Sequence, residues 1–248
     1  MGLQVRSDTI VLSFEKFSPL ANLPMPLSRP YQPVLLRILH GAAAVLTILA
    51  LISGFWVYNT YDKRWGSLPL PALPDIQGIH GTIAVTFLLL FPFLALYSFR
   101  LGESRLVRSR FLRQLKPVGK PVWWVSLQRV ANTSMLLAAT LALMTGRMMK
   151  EEWLPAGEID RPWYLAHLVS WGIMLATLAL HLLLGAKVGG TPLLASMFDR
   201  KIRPNDRPRS WLHGFKTHPS NSTLKILEWV TLGGIILALI LPVFHLFS

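Results

Sequence analysis

Residues 164–185 read YLAHLVSWGIMLATLALHLLLG, a run with no acid, lysine or arginine that nonetheless holds two histidines fourteen positions apart, His167 and His181. About 20 apolar residues are enough to cross a bilayer core as a helix. A polar ring inside such a helix needs a partner, a cavity or a cofactor. The enclosing run covers residues 163–186, and four more of its kind occupy residues 34–58, 76–98, 122–146 and 224–247. Each is too long for a strand and lacks strict alternation, so five transmembrane helices are expected.

Composition agrees. Of 248 residues, 52% are hydrophobic and 15% charged, where a water-soluble domain carries about 25% charge. Cysteine is absent, which excludes disulfides, thiolate metal sites, iron–sulfur clusters and the Cys-attached c-type haem. A metal here must be held by His, Met or carboxylate.

The net charge of +13 is unevenly spread. Between the second and third runs, Arg100, Arg105, Arg108, Arg110, Arg113, Lys116 and Lys120 face Glu103 alone. After the fourth run, Lys187, Arg200, Lys201, Arg203, Arg207, Arg209 and Lys216 face Asp199 and Asp206. The positive-inside rule puts both links and the N-terminus in the cytoplasm and the C-terminus outside. Basic residues beside helix ends signal topology and headgroup contact, so membrane lipid is the expected partner and nucleic acid is not. Residues 1–33 lack the apolar core of a secretory signal and read as a cytoplasmic tail.

Of the seven histidines, four lie well inside the first four long runs, His40, His80, His167 and His181, and His245 sits at the far end of the fifth. At about 1.5 Å per residue, His40 and His181 each lie roughly 9 Å from the cytoplasmic edge, and His80 and His167 each roughly 6 Å from the outer edge. Two pairs result, each with one member on the fourth helix. Fourteen residues come to about 40° short of four full turns, so His167 and His181 project from nearly one face, about 21 Å apart. Facing imidazoles at a common depth suit bis-His haem b, whereas zinc wants three or four clustered ligands. The segments LHGAAAV (39–45) and IHGTIAV (79–85) both place glycine after histidine, as close approach of a porphyrin or plain helix packing requires. The expected fold is therefore all-α, a four-helix transmembrane bundle (34–186) holding two haems. A basic cytoplasmic linker (187–223) and a fifth transmembrane helix (224–248) follow.

This arrangement resembles the bacterial cytochrome b561 and hydrogenase- or formate-dehydrogenase-type cytochrome b family. The residues that carry the likeness are His40 near the start of helix one, His80 near the start of helix two, a third helix without a ligand, and His167 with His181 on helix four. The resemblance implies that His40 with His181 and His80 with His167 are the axial ligands of two b haems. It also implies a bacterial-type energy-transducing membrane, exchange with the quinone pool, and a redox partner protein or subunit.

The third helix opens with SLQRVANTS (126–134). Gln128 and Asn132, four apart, share a face and could bond a quinone carbonyl near His181. The alternative has Asn132 in an interhelical bond while Arg129 snorkels to phosphate or pairs with a haem propionate. Arg37, one turn before His40, is likewise a propionate partner or a snorkelling anchor. Two rivals from other classes are a cofactor-free structural or assembly subunit and a proton-coupled transporter. The transporter wants acids in the helices, and Glu228 is the single acid in the five runs.

Overall fold

The structure, a computed structural model, describes residues 31–245. The reading of a tail over residues 1–33 lies, up to residue 30, outside them, as does the end of the fifth run. The helices are α1 (Val34–Tyr61), α2 (Ile76–Arg100), a single-turn α3 (Phe111–Gln114), α4 (Pro121–Arg147), α5 (Pro162–Ser196) and α6 (Ser222–His245). There is no strand among the described residues.

Most helix starts are written locally. Pro121 and Pro162 sit at first-turn positions where no N–H is needed. Asp75 and Asn221 accept from the backbone N–H of Gly78 (3.2 Å) and Leu224 (3.0 Å), satisfying otherwise orphaned donors. α1 is different. Its first N–H, that of Val34, donates at 2.7 Å to the carboxylate of Asp206 in the α5–α6 link, which also accepts the Tyr31 hydroxyl at 2.6 Å. The guanidinium groups of Arg203 and Arg37 lie 4.2 and 5.4 Å from the centre of the Tyr31 ring, within cation–π range.

α1, α2, α5 and α6 are long and apolar enough to cross a membrane. α4, at 27 residues, is long enough but more polar. Its position explains the difference: α4 packs against α5 on one side and α6 on the other, so much of its surface meets protein. Its Thr133, Thr140 and Thr145 hydroxyls each donate to the carbonyl four residues back (2.9, 2.9 and 2.7 Å), which satisfies them inside the helix. α5 runs past the expected end at residue 186. GAKVGG (185–190) breaks it only at Gly190, whose φ of +64° suits glycine alone, and helix resumes to Ser196.

The long helices form two hairpins, α1–α2 and α4–α5, joined on one side by α6, which packs against both α2 and α4; α1 and α5 touch only lightly. α6 docks through Leu224, Thr231, Ile235 and Ala238, all fully or almost fully buried, a spacing that keeps one helical face inward. Gly234 lets it approach α4: a Cβ there would run into the Thr140 methyl group and come within 3.0 Å of the Met144 sulfur. Arg100 at the end of α2 pairs with Glu228, the two side chains 15% and 6% exposed. Lys216 in the link pairs with Glu103, which also accepts from the Ser220 N–H at 2.9 Å.

Removing one member of a buried ion pair strands the other charge, at a cost of about 3 kcal/mol. Glu228→Ala should therefore lower the thermal unfolding midpoint in detergent, while Arg100→Met with Glu228→Met recovers most of the loss. Equal midpoints for the single and double variants would show that the pair does not hold α6. A second outcome depends on pH. Burial alone would raise the Glu103 pKa, yet the Lys216 ammonium and the Ser220 bonds hold it below the ordinary 4.5. A depressed carboxyl stabilises the fold above its unfolded value and loses that contribution as pH falls through the folded one. A fluorophore on Leu212→Cys, unique in a chain without cysteine, should report release of the link below pH 4.5, and Lys216→Met should move that release to higher pH.

Candidate functional site

The four helix histidines meet in two pairs across the gap between the hairpins. His40 of α1 faces His181 of α5 with ring centres 6.0 Å apart. His80 of α2 faces His167 of α5 at 6.1 Å. α5 thus contributes one ring to each pair.

Neighbouring hydroxyls fix the protonation of two rings. Ser53 Oγ lies 2.7 Å from the Leu49 carbonyl and 2.9 Å from His80 Nδ1, so with the hydroxyl proton on Leu49 it accepts from the ring. Thr145 repeats the arrangement, donating to Leu141 at 2.7 Å and receiving Nδ1–H of His167 at 3.0 Å. At the other level the carboxamide oxygen of Asn132 accepts from His181 Nδ1 at 2.8 Å. With the proton on Nδ1, the lone pair of each ring is on Nε2, the state in which imidazole binds a metal while an outer partner fixes its orientation.

Glycine makes the room. A Cβ on Gly54 would lie 3.1 Å from His80 Cε1, and one on Gly146 would lie 3.2 Å from His167 Cε1. Gly41 and Gly81, which follow the histidines in sequence, face open space instead. The two hydroxyl–glycine pairs close the segments LALISG (49–54) and LALMTG (141–146), an internal repeat in the C-terminal halves of α1 and α4. That repeat was a legible signal for Ser53, Gly54, Thr145 and Gly146, which histidine spacing alone misses. Thirteen residues before each hydroxyl stand His40 on α1 and Asn132 on α4. One faces the His181 ring and the other bonds it.

A cavity of about 1420 Å³ opens between the hairpins, lined by His80, His167, Gly81, Trp171, Met174 and Arg147. It exceeds the 300–1,000 Å³ or so of an ordinary small-molecule pocket. Trp171 is held in its wall by donating to the Leu51 carbonyl at 3.1 Å. The Nε atoms of Arg37, Arg108 and Arg147 are buried without a hydrogen-bond partner.

The polar residues expected beside His181 diverge. Gln128 Nε2 donates to Asn132 Oδ1 at 3.2 Å and only lies beside the proton-bearing His181 Nδ1, while its own Oε1 is buried and unpartnered. Asn132 is engaged at both ends, its oxygen by His181 Nδ1 and its amide nitrogen by donating to the Arg105 carbonyl at 2.9 Å. Arg129 turns to the loop before α4, donating to the Ser104 carbonyl at 3.1 Å and to Gln114 at 3.3 Å. Arg37 donates to the Lys201 carbonyl at 2.8 Å.

Residues 31–200 match the family described as prokaryotic cytochrome b561. The chain belongs to that family. No curated protein and no solved structure matches it. As a cytochrome b561-family member it is a multi-pass membrane protein of transmembrane electron transfer, in a family that binds haem b. The matched residues end before α6.

Loss of an outer partner costs a metal-ligating histidine about 10–100-fold in affinity. Thr145→Val, which keeps the shape and removes the acceptor for His167, should weaken haem uptake by about that factor in titrations of the haem-free protein, while Thr145→Ser should leave it unchanged. Equal uptake by both variants would detach Thr145 from haem binding.

Proposed function

We propose that this cytochrome b561-family protein holds two b haems, one between His40 and His181 and one between His80 and His167, and carries electrons between quinone and a redox partner. The reading rests on the two imidazole separations. Two ring nitrogens each about 2 Å from one metal put their ring centres about 6 Å apart, and the pairs stand at 6.0 and 6.1 Å. Haem iron bound there supplies reversible one-electron exchange; the chain supplies everything that orients and insulates it.

Ser53, Thr145 and Asn132 hold the rings in the metal-binding tautomer. Gly54 and Gly146 let the helices close behind them. The unpartnered Nε atoms of Arg147 on the His80–His167 side, and of Arg37 and Arg108 at the opposite end, are donors suited to the propionates. For quinone, Gln128 is the favoured contact, because its unpartnered Oε1 would accept the hydroxyl of a quinol beside His181. Asn132 serves His181 instead.

In this reading residues 34–186 are the di-haem domain, with α4 crossing the membrane despite its polarity because α5 and α6 shield it. α6 then crosses as the fifth, C-terminal span, and residues 187–223 are the cytoplasmic linker. The N-terminus is cytoplasmic and the C-terminus outside, following the basic links.

The deciding measurement is haem per chain by pyridine haemochrome, together with the dithionite-reduced minus oxidised spectrum. Two b haems are expected in the unaltered protein. One should be lost in His40→Ala or His181→Ala, and the other in His80→Ala or His167→Ala. Two haems retained in all four variants would remove the assignment.

A further inference from the structure

On the cytoplasmic half of the bundle, α4 and α5 leave a second groove of about 460 Å³, lined among others by Trp124, Ala131, Ser134, Thr177, Leu180 and Lys187. It is separate from the haem-side cavity and almost wholly apolar. Thr177 contributes its methyl group, because its hydroxyl donates to the Ile173 carbonyl at 2.8 Å. Ala131 is buried in the floor, and Leu180 and Leu183 stand exposed as one wall.

The cation sits at one end. Lys187 Nζ lies 5.2 Å from the centre of a Trp124 ring, and Trp124 is anchored by donating to the Gly119 carbonyl at 3.1 Å. From Lys187 back to Thr177, and from Trp124 on to Ser134, the chain advances the same ten residues. Ten residues of helix span about 15 Å, which is half of a hydrocarbon core about 30 Å thick. The groove is one leaflet tall, with its charge at the headgroup level.

We infer that this groove binds one anionic phospholipid of the cytoplasmic leaflet, its phosphate at Lys187 and Trp124 and an acyl chain along Ala131, Ser134 and Thr177. The inference rests on the reading that α4 and α5 cross the membrane with the basic links inside. Charge complementarity selects the occupant. A zwitterionic lipid offers Lys187 the same phosphate but offsets it with its own cation, so net charge favours the anionic headgroup, and a quinone head at the mouth meets no acceptor or donor except that ammonium. Gly190 contributes by breaking α5 just beyond Lys187: the chain folds back so that Leu194 packs on Gly185, where a Cβ would lie 3.2 Å from it.

The test is native mass spectrometry of the purified full chain from bilayers of mixed phosphatidylglycerol and phosphatidylcholine, with haem content read on the same samples. One retained phosphatidylglycerol per chain is expected. One lysine near the surface contributes ~1 kcal/mol to anionic lipid binding, so Lys187→Gln should weaken retention about fivefold. Lys187→Arg should preserve it, and Ser134→Leu, filling the floor, should abolish it. Haem content should be the same in all three, so a failure of the di-haem reading appears as altered haem in the unaltered protein and not in these differences. No retained lipid, retention indifferent to headgroup charge or to Lys187, or an isoprenoid quinone in its place would each overturn the inference.

Discussion

Four imidazoles lie within helices that otherwise present apolar surface, and the architecture follows from satisfying them. Each ring has two nitrogens. An outer residue answers one nitrogen in three of the four, and the facing ring stands where the other must be answered. The facing rings, 6.0 and 6.1 Å apart, stand between the two hairpins, and α1 and α5 touch only lightly. Other helices supply the packing that this seam lacks. α6 enters between α2 and α4 on the far side, using Gly234 to reach α4 and a buried Arg100–Glu228 pair to hold α2. A chain of the matched family region alone would lack that brace.

α4 shows how the same constraint shapes composition. Lacking a histidine of its own, it supplies the groups that position those of α5: Thr145 for His167 and Asn132 for His181. Those polar side chains make it the least apolar of the long helices. It tolerates them because its neighbours are protein on two sides and because its threonines turn their hydroxyls onto their own backbone. The helix of the bundle without a histidine is the one that orients the two rings of α5.

Much of this was legible in the sequence. Run length and composition give long helices wherever about 20 apolar residues occur together, and histidine depth alone sorts the four rings into the pairs that meet in space. The extension of α5 to Ser196 was hidden, because a glycine-rich segment reads as a stop whether the chain halts or merely breaks at Gly190. Asn132 illustrates a deeper limit. Its spacing from Gln128 puts both on one face, but whether that face meets a ligand or a histidine depends on the rotation of α4 against α5, which no local pattern encodes. The roles of Gly54 and Gly146 were available only by aligning α1 with α4, since neither glycine adjoins a histidine in sequence.

The cap on α1 has a consequence for assembly. Its carboxylate belongs to Asp206, 172 residues after the Val34 N–H that it receives. During synthesis α1 precedes the other described helices, and its N-terminal end waits uncapped until the fourth long helix has been made and the link beyond it has folded back. A helix made early is thus among the last to be locked at that end, which leaves α1 free to tilt and shift in register while the helices that will face its histidine are still being threaded into the membrane.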